Sequence, residues 1–231
     1  MERLHAERHR PGGQPISLPE WAPDAADSTQ ELVRRKGHEH EAQYVAQLKA
    51  AGRGLVEIPR EESLGKTRAA MASGSEIIYQ AHLQSGDLAG YPDFLVRVPG
   101  TSKLGDYHYE PWDTKLAKSS KPYFLVQLCA YADLLEDAQR KRPAECAVVL
   151  GTGEIVRYRV DDFLYYYRNL KRTFLEFQAR WSANEASDPG LERNYGRWTE
   201  AAERILEKSD HLSRVAGITR GQILRLETAG L

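Results

Sequence analysis

The sequence predicts an α/β fold, in which a mixed central sheet is flanked by helices. Segments with helical periodicity alternate with short β-rich runs, in the order helix, several strands, helix, two strands, helix. The chain has 231 residues, of which 41% are hydrophobic, and this is enough for one sizeable core with appendages. Such an order is typical of a mixed sheet that is covered by helices on both faces.

The first half of this order begins with a helix predicted over residues 37–51, which ends at two closely spaced glycines. The run "LVEIP" follows as a short strand. A hairpin-like unit then places a strand at about 76–83 beside a strand at about 92–98. A further strand covers "YHYEPWDTKLA".

The second half begins with a helix predicted over about 122–137, with Pro122 at a first-turn position that tolerates proline. The run "CAVVLGTGEIVRYRV" contains two β-rich stretches around a Gly-Thr-Gly turn, which predicts a hairpin. A long helix follows, with Asp161 as its N-cap. These elements complete the alternating pattern.

The composition divides the chain into three parts. Residues 1–36 are polar and contain proline and glycine, which predicts an extended or irregular N-terminal arm. Residues 37–182 hold the alternating elements and form the core domain. Residues 183–231 are a charged, helical C-terminal segment that ends abruptly at "ETAGL", so we expect it to be truncated from a longer chain.

Charge and cysteine content restrict the function and the compartment. The chain has 32 lysine and arginine residues and 33 aspartate and glutamate residues, so its net charge is -1. It lacks the overall positive charge that is typical of many nucleic-acid-binding proteins, and any polyanion must therefore bind to a local basic patch. Cys129 and Cys146 lie in apolar stretches without C-x-x-C spacing, which indicates core residues in a reducing compartment. No stretch approaches the ~18 apolar residues that a membrane span needs, so we expect a soluble, cytoplasmic protein with no membrane partner.

The stretch "EPWDTKLAK" carries the first chemical signal. On a strand, Asp113 and Lys115 point to one face and Thr114 to the other. In "GYPDFLV", Asp93 lies near the start of a neighbouring predicted strand, where its carboxylate can lie beside that of Asp113. Two carboxylates ~4 Å apart repel by roughly 4 kcal/mol at an effective dielectric constant near 20. A shared site therefore favours a cation, and oxygen ligands favour Mg²⁺ or Mn²⁺.

The arrangement P-D, then about 20 residues, then D-x-K resembles the PD-(D/E)xK nuclease superfamily. The resemblance implies a restriction-endonuclease-like fold. It also implies that Asp93, Asp113 and the Thr114 carbonyl bind the metal, while Lys115 positions the attacking water. The D-x-K motif alone is weak, because it occurs by chance in many chains.

A second motif lies on the predicted helix that follows D-x-K. In "QLCAY", Gln127 and Tyr131 are four residues apart and share one helical face. The pair resembles the Q-x-x-x-Y motif of RecB-like nucleases, which implies contact with DNA and support of the catalytic site. The alternative interpretation is an amphipathic helix with Tyr131 partly in the core.

A third motif, "GHEHE", opens the first predicted helix. It resembles the G-x-x-H-E segment of RecB-like and CRISPR-associated exonucleases, and this implies that His40 is a metal ligand. Helical geometry favours Glu41, which falls at the centre of the apolar face. Both residues remain candidates, with His40 first.

The motifs follow the order of the RecB-like family over residues 37–182 and are similar to nuclease modules that are fused to helicases. The implied function is hydrolysis of phosphodiesters in single-stranded DNA ends or flaps, in DNA repair, recombination or defence. The implied partners are DNA and a helicase in the same chain or separate from it. Lys118 and Lys121 are candidate phosphate contacts. Relatives often carry a four-cysteine iron–sulfur cluster, but the two ends of this chain lack cysteine, so we expect none.

The sequence is compatible with two other functions. The chain could be a catalytically inactive nuclease-fold module that binds nucleic acid or acts as a scaffold, although its intact acids and lysine argue against this. It could also be a metal-dependent phosphohydrolase acting on nucleotides, but the sequence has no glycine-rich phosphate loop and no dense His-Asp cluster. Metal-dependent cleavage of DNA distinguishes the nuclease from both.

Overall fold

The structure, a computed structural model, describes residues 23–25, 28–59, 63–180, 189–191 and 194–230. These residues divide into two compact units. The larger unit is Leu32–Arg180, and the smaller one comprises the described residues that flank it at both ends. Within the described residues, no helix is both long enough and apolar enough to cross a membrane.

The described part of 28–180 forms helices and strands in the predicted alternation. The helices are α1 (Ser28–Ala50), α2 (Ser63–Ala72), α3 (Pro122–Gln139) and α4 (Asp161–Arg180). The strands are β1 (Leu55–Glu57), β2 (Ile77–Tyr79), β3 (Leu83–Ser85), β4 (Leu88–Gly90), β5 (Phe94–Ser102), β6 (Gly105–Lys115), β7 (Glu145–Leu150) and β8 (Ile155–Arg159).

The central sheet has six strands in the order β1-β2-β5-β6-β7-β8. The pairs β1–β2 and β6–β7 are parallel and the other neighbours are antiparallel, so the sheet is mixed. Strands β3 and β4 pair only with each other, in a separate two-stranded sheet. The α/β class with a mixed central sheet and flanking helices is therefore confirmed.

Apolar clusters cover the central sheet on both faces. On one face, Tyr44 of α1 packs edge-to-face on Phe94, with ring centroids 5.3 Å apart. On the other face, Leu128 of α3 and Leu164 of α4 join a cluster with Val148 of β7. Successive side chains of a strand point to opposite faces of the sheet, so Val148 packs on one face and its neighbours Ala147 and Val149 pack on the other. Both cysteines are buried and free, as predicted.

The sequence prediction of the N-terminal region was wrong in two places. Residues 28–36 are not part of an irregular arm but extend α1 by nine residues before Gly37, while the rest of the predicted arm falls mostly outside the described residues. A long helix tolerates Gly37 because one helical glycine costs only ~1 kcal/mol. Helix α2 was missed, although Thr67, Ala70 and Met71 are buried on its inner face. The helix has only 10 residues and contains a glycine, so its apolar residues are too few to give a clear helical period.

The predicted hairpin at 76–98 is correct in its pairing and wrong in its length. Strand β2 pairs with β5, with Ile77 opposite Val96. It ends at Tyr79, because Gln80 adopts a left-handed φ of 59°. The following residues form the separate β3–β4 hairpin around Gly86, which has a φ of 56°. This inserted hairpin returns the chain to the sheet immediately before Asp93.

The smaller unit contains α5 (Thr199–Lys208) and α6 (Arg220–Thr228) with short 3₁₀ turns, in line with the predicted helical C-terminal segment. Asp24 joins the two ends of the chain: its backbone amide donates to the carbonyl of Arg197 at 2.6 Å, and its carboxylate accepts from the amide of Glu200 at 3.3 Å. A capping box of Thr219 and Gln222 begins α6. Residues 181–188, where the predicted core domain meets the C-terminal segment, lie outside the described residues.

Candidate active site

The candidate site lies where β5 begins and β6 ends. Phe94 pairs with Trp112 in the antiparallel β5–β6 ladder, so one step further along the same register Asp93 stands opposite Asp113. Side chains of directly opposed residues lie on the same face and are close neighbours. The two acids predicted to share a site are therefore neighbours at the end of the central sheet.

Asp93 is fixed by hydrogen bonds on two sides. Its Oδ2 accepts from both the backbone amide of Thr114, at 2.7 Å, and the hydroxyl of Thr114, at 2.6 Å. Its carbonyl accepts from the amide of Gln80 at 2.8 Å. The aspartate of the P-D motif is thus held to β6 by its side chain and to the residue after β2 by its backbone.

Asp113 is almost fully buried, with 2% of its surface exposed. Its Oδ2 forms an ion pair with Nζ of Lys115, which confirms that the two side chains share a face of the strand. Burial, followed by the charge of Asp93, raises the pKa of Asp113 well above its ordinary value, and Lys115 only partly opposes this rise. The site holds more negative charge than its lysine compensates, and this favours an added cation or proton.

A chain of polar contacts runs from Lys115 into helix α3. Nζ of Lys115 donates to Oε1 of Gln127 at 2.9 Å, and Nε2 of Gln127 donates to the hydroxyl oxygen of Tyr131 at 2.6 Å. Nζ also lies 5.4 Å from the ring centroid of Phe124, one turn before Gln127. The structure therefore brings the predicted D-x-K and Q-x-x-x-Y residues into one connected cluster.

Tyr131 is buried, as the alternative interpretation of the helix requires, but it is also connected to the site. Burial, followed by the charge of Asp113, raises the pKa of Tyr131 above its ordinary value, so its phenol stays neutral at physiological pH. Gly90 of β4 packs against its ring, where an added Cβ would lie 2.9 Å from two ring carbons. The absence of a side chain at residue 90 thus allows Tyr131 to occupy its position.

The two candidate ligands from α1 flank the acid pair. Glu41 is 8% exposed and accepts a hydrogen bond from the side chain of Gln80. Burial, followed by the charge of Asp93, raises the pKa of Glu41, which places the two carboxylates in each other's field. Nε2 of His40 lies 3.4 Å from the carbonyl oxygen of Val149, which is the β7 residue paired with Thr114. His40 thus lies towards β7 and Glu41 towards β2.

The donor types at the site fit a hard divalent cation, although the side chains are not gathered around one point. Among the described residues, no three His, Cys, Asp or Glu side chains converge closely enough to hold a metal ion. Lys115 engages an oxygen of Asp113, and Thr114 engages an oxygen of Asp93. Burial and the charge of Asp93 both disfavour an ionised Asp113 and raise its pKa, and a divalent cation between the two carboxylates would favour the ionised form.

The predicted phosphate contacts lie beyond the end of β6. Lys118 and Lys121 are both exposed, and Lys121 occupies the N-cap position of α3. Nζ of Lys121 lies 6.0 Å from the ring centroid of Tyr123. The two ammonium groups are therefore free to meet a polyanion next to the strand that carries Asp113.

Sequence reasoning missed two residues that support the site. Gln80 holds both Glu41 and the backbone of Asp93, but no local pattern marks a glutamine for a left-handed conformation. Phe124 lies beneath the Lys115 ammonium group. Its position three residues before Gln127 was a usable signal, because residues three apart share a helical face.

Comparison with known proteins gives no assignment. No model of a known protein family matches the chain, and no curated protein shows significant similarity to it.

Proposed function

We propose that this chain is a divalent-metal-dependent deoxyribonuclease with a restriction-endonuclease-like core of the RecB-like branch. The observation that carries the proposal is the pairing of Asp93 and Asp113 on opposed strands, with Lys115 held between Asp113 and Gln127. The substrate class is single-stranded DNA, at ends or flaps, as the sequence resemblance implies. The same resemblance suggests a cytoplasmic role in DNA repair, recombination or defence beside a helicase.

The proposed ligands of Mg²⁺ or Mn²⁺ are the carboxylates of Asp93 and Asp113 and the carbonyl of Thr114. His40 is the first choice for a further ligand and Glu41 the second. A bound ion would supply Lewis-acid stabilisation of the charge that develops on the phosphate. The excess negative charge of the buried carboxylates supports this assignment.

The remaining roles belong to polar groups of this chain. Lys115 orients a water for in-line attack on phosphorus, and its ammonium group stabilises the developing negative charge. The attack forms a bond from the water oxygen to phosphorus and breaks the bond to the leaving sugar oxygen, while the water gives up a proton to solvent and the leaving oxygen takes one from solvent, without a covalent enzyme intermediate. Gln127 and Tyr131 hold Lys115 in place and contact the strand, while Lys118 and Lys121 bind flanking phosphates.

The experiment that tests the proposal is cleavage of end-labelled single-stranded DNA in Mg²⁺ or Mn²⁺. Asp113→Asn should lower the cleavage rate by at least about 100-fold. Asp106→Asn is the matched control, because Asp106 is an exposed aspartate on the same strand. Equal rates for wild type and both variants would remove the basis of the proposal.

One observation favours a second candidate, a noncatalytic module that binds nucleic acid. The described acidic and histidine side chains do not converge around one metal position. If the protein binds single-stranded DNA but does not turn it over in Mg²⁺, Mn²⁺ or Ca²⁺, this second function replaces the first. Loss of free nucleotides from the assay would instead select the phosphohydrolase.

A further inference from the structure

A cavity of about 290 Å³ lies between the start of α3, strand β8 and the start of α4. We name it the α3–α4 groove. Its walls are mainly apolar and include three aromatic side chains. The residues that line it are Ser120, Lys121, Pro122, Leu125, Val126, Tyr158, Phe163 and Tyr166. All of them belong to the larger unit.

The α3–α4 groove is joined to the candidate site through α3. Val126 lines the groove, and the next residue, Gln127, accepts the hydrogen bond from Lys115. Lys121 lies six residues before Gln127 in the sequence, which corresponds to roughly 9 Å along a helix. The groove and the candidate site thus use neighbouring residues of the first turns of α3.

The groove combines aromatic surface with positive charge. Tyr158 and Phe163 pack edge-to-face with ring centroids 6.0 Å apart, and Tyr166 is 64% exposed at the rim. Lys121 is the N-cap residue of α3, and its exposed ammonium group supplies the positive charge. Aromatic faces bind bases by stacking, and a cation next to them binds the phosphate of the same nucleotide.

One polar group in the groove has no internal partner. Oγ of Ser120 is buried, and among the described residues it has no hydrogen-bond partner. The cavity volume lies just below the range of about 300–1,000 Å³ that is usual for small-ligand pockets, which suits a single base rather than a larger ligand.

We propose that the α3–α4 groove binds one nucleobase of a single-stranded nucleic acid, next to the phosphodiester that the candidate site cleaves. Tyr166 stacks on the base and Lys121 pairs with its phosphate. This inference rests on the proposed nuclease function for the identity of the strand. The groove selects single strands, because the bases of a duplex are stacked within the helix and do not reach it.

The test compares binding of a fluorescently labelled single-stranded oligonucleotide in EDTA, measured by anisotropy, so that no cleavage occurs. Tyr166→Ala should weaken binding by at least about 5-fold, which is the lower limit for loss of one stacked base. Tyr165→Ala is the matched control, because Tyr165 is 78% exposed on the same helix and lies outside the groove. An oligonucleotide of the same length with abasic sites should bind wild type and Tyr166→Ala equally.

The outcomes separate this inference from the proposed function. If Tyr166→Ala binds like wild type while wild type still cleaves DNA, the groove inference is overturned and the nuclease stands. If Tyr166→Ala weakens binding but no metal supports cleavage, the groove is supported and the nuclease fails. If the wild-type protein binds no oligonucleotide, both are overturned and the groove is left to another ligand class, such as an apolar peptide.

Discussion

Asp93 accepts two hydrogen bonds from Thr114, one from its backbone amide at 2.7 Å and one from its hydroxyl at 2.6 Å. This contact ties the P-D residue to the middle residue of D-x-K, although the two are 21 residues apart in the chain. It leaves Oδ1 of Asp93 outside these bonds. The protein therefore holds the P-D and D-x-K residues next to each other without a metal ion.

We expect Asp113→Asn to abolish activity and yet stabilise the metal-free protein at about pH 8. Folding raises the pKa of Asp113, so stability falls as pH rises from the ordinary carboxyl range through the folded-state pKa. The neutral side chain of asparagine does not ionise, so the variant does not lose stability in this way as the pH rises. Urea unfolding in EDTA should show the gain at about pH 8 and a smaller gain at about pH 5.

Asp106→Asn provides the reference for this comparison, since Asp106 is exposed and its replacement should change stability little at either pH. A variant at residue 113 that is less stable than wild type by the same amount at both pH values would refute the assigned pKa direction.

Gln127 should act as a positioning residue for Lys115. Gln127→Ala removes the acceptor at 2.9 Å from the ammonium group and should lower kcat by about 10- to 100-fold with a smaller effect on KM. Tyr131→Phe removes the next group in the same chain of contacts. A double-mutant cycle on kcat should be non-additive, because both residues act through Lys115. Strictly additive effects would show that the two residues act independently.

The fit of Gly90 against Tyr131 can be tested by stability alone. Gly90→Ala should destabilise the protein by about 1–3 kcal/mol, because the added methyl group overlaps the ring. Gly37→Ala is the control: it lies within α1, has nothing within 4 Å of the added Cβ, and should stabilise by about 1 kcal/mol. Equilibrium urea unfolding measures both changes. A neutral Gly90→Ala would show that the β3–β4 hairpin moves aside.

Much of this architecture could be predicted because the sequence patterns are local. The β-rich runs identified β6 and β7, and the spacing of Gln127 and Tyr131 placed them on one face of α3. The strand period placed Asp113 and Lys115 together, and the ion pair between them agrees. The motif order suggested that Asp93 would join them, and the β5–β6 register does so.

The features that were missed depend on contacts distant in sequence or on uncommon backbone geometry. The left-handed Gln80 ends β2 early, and nothing near it in the sequence indicates this. Helix α2 carries only three buried residues, so its periodicity is weak. The choice between His40 and Glu41 could not be made from sequence, because it depends on where α1 crosses the sheet.

His40 and Glu41 can be distinguished by metal selectivity. Imidazole favours Mn²⁺ over Mg²⁺, whereas a carboxylate binds both through oxygen. If His40 is the ligand, His40→Ala should weaken Mn²⁺ binding at least about 10-fold and reduce the preference for Mn²⁺. Isothermal titration calorimetry measures both affinities. Should Glu41→Gln instead weaken both ions equally while His40→Ala has no effect, Glu41 takes the role.

The central claim is that Asp93 and Asp113 share one divalent ion beside Lys115. Anomalous diffraction from a crystal grown with Mn²⁺ tests it most directly. We predict an anomalous peak within coordination distance of both carboxylates, ~2.0–2.3 Å from the nearest oxygens, with the Lys115 ion pair to Asp113 lengthened. A Mn²⁺ peak elsewhere on the protein, with the contacts of Asp93 to Thr114 and of Asp113 to Lys115 unchanged, would contradict the claim.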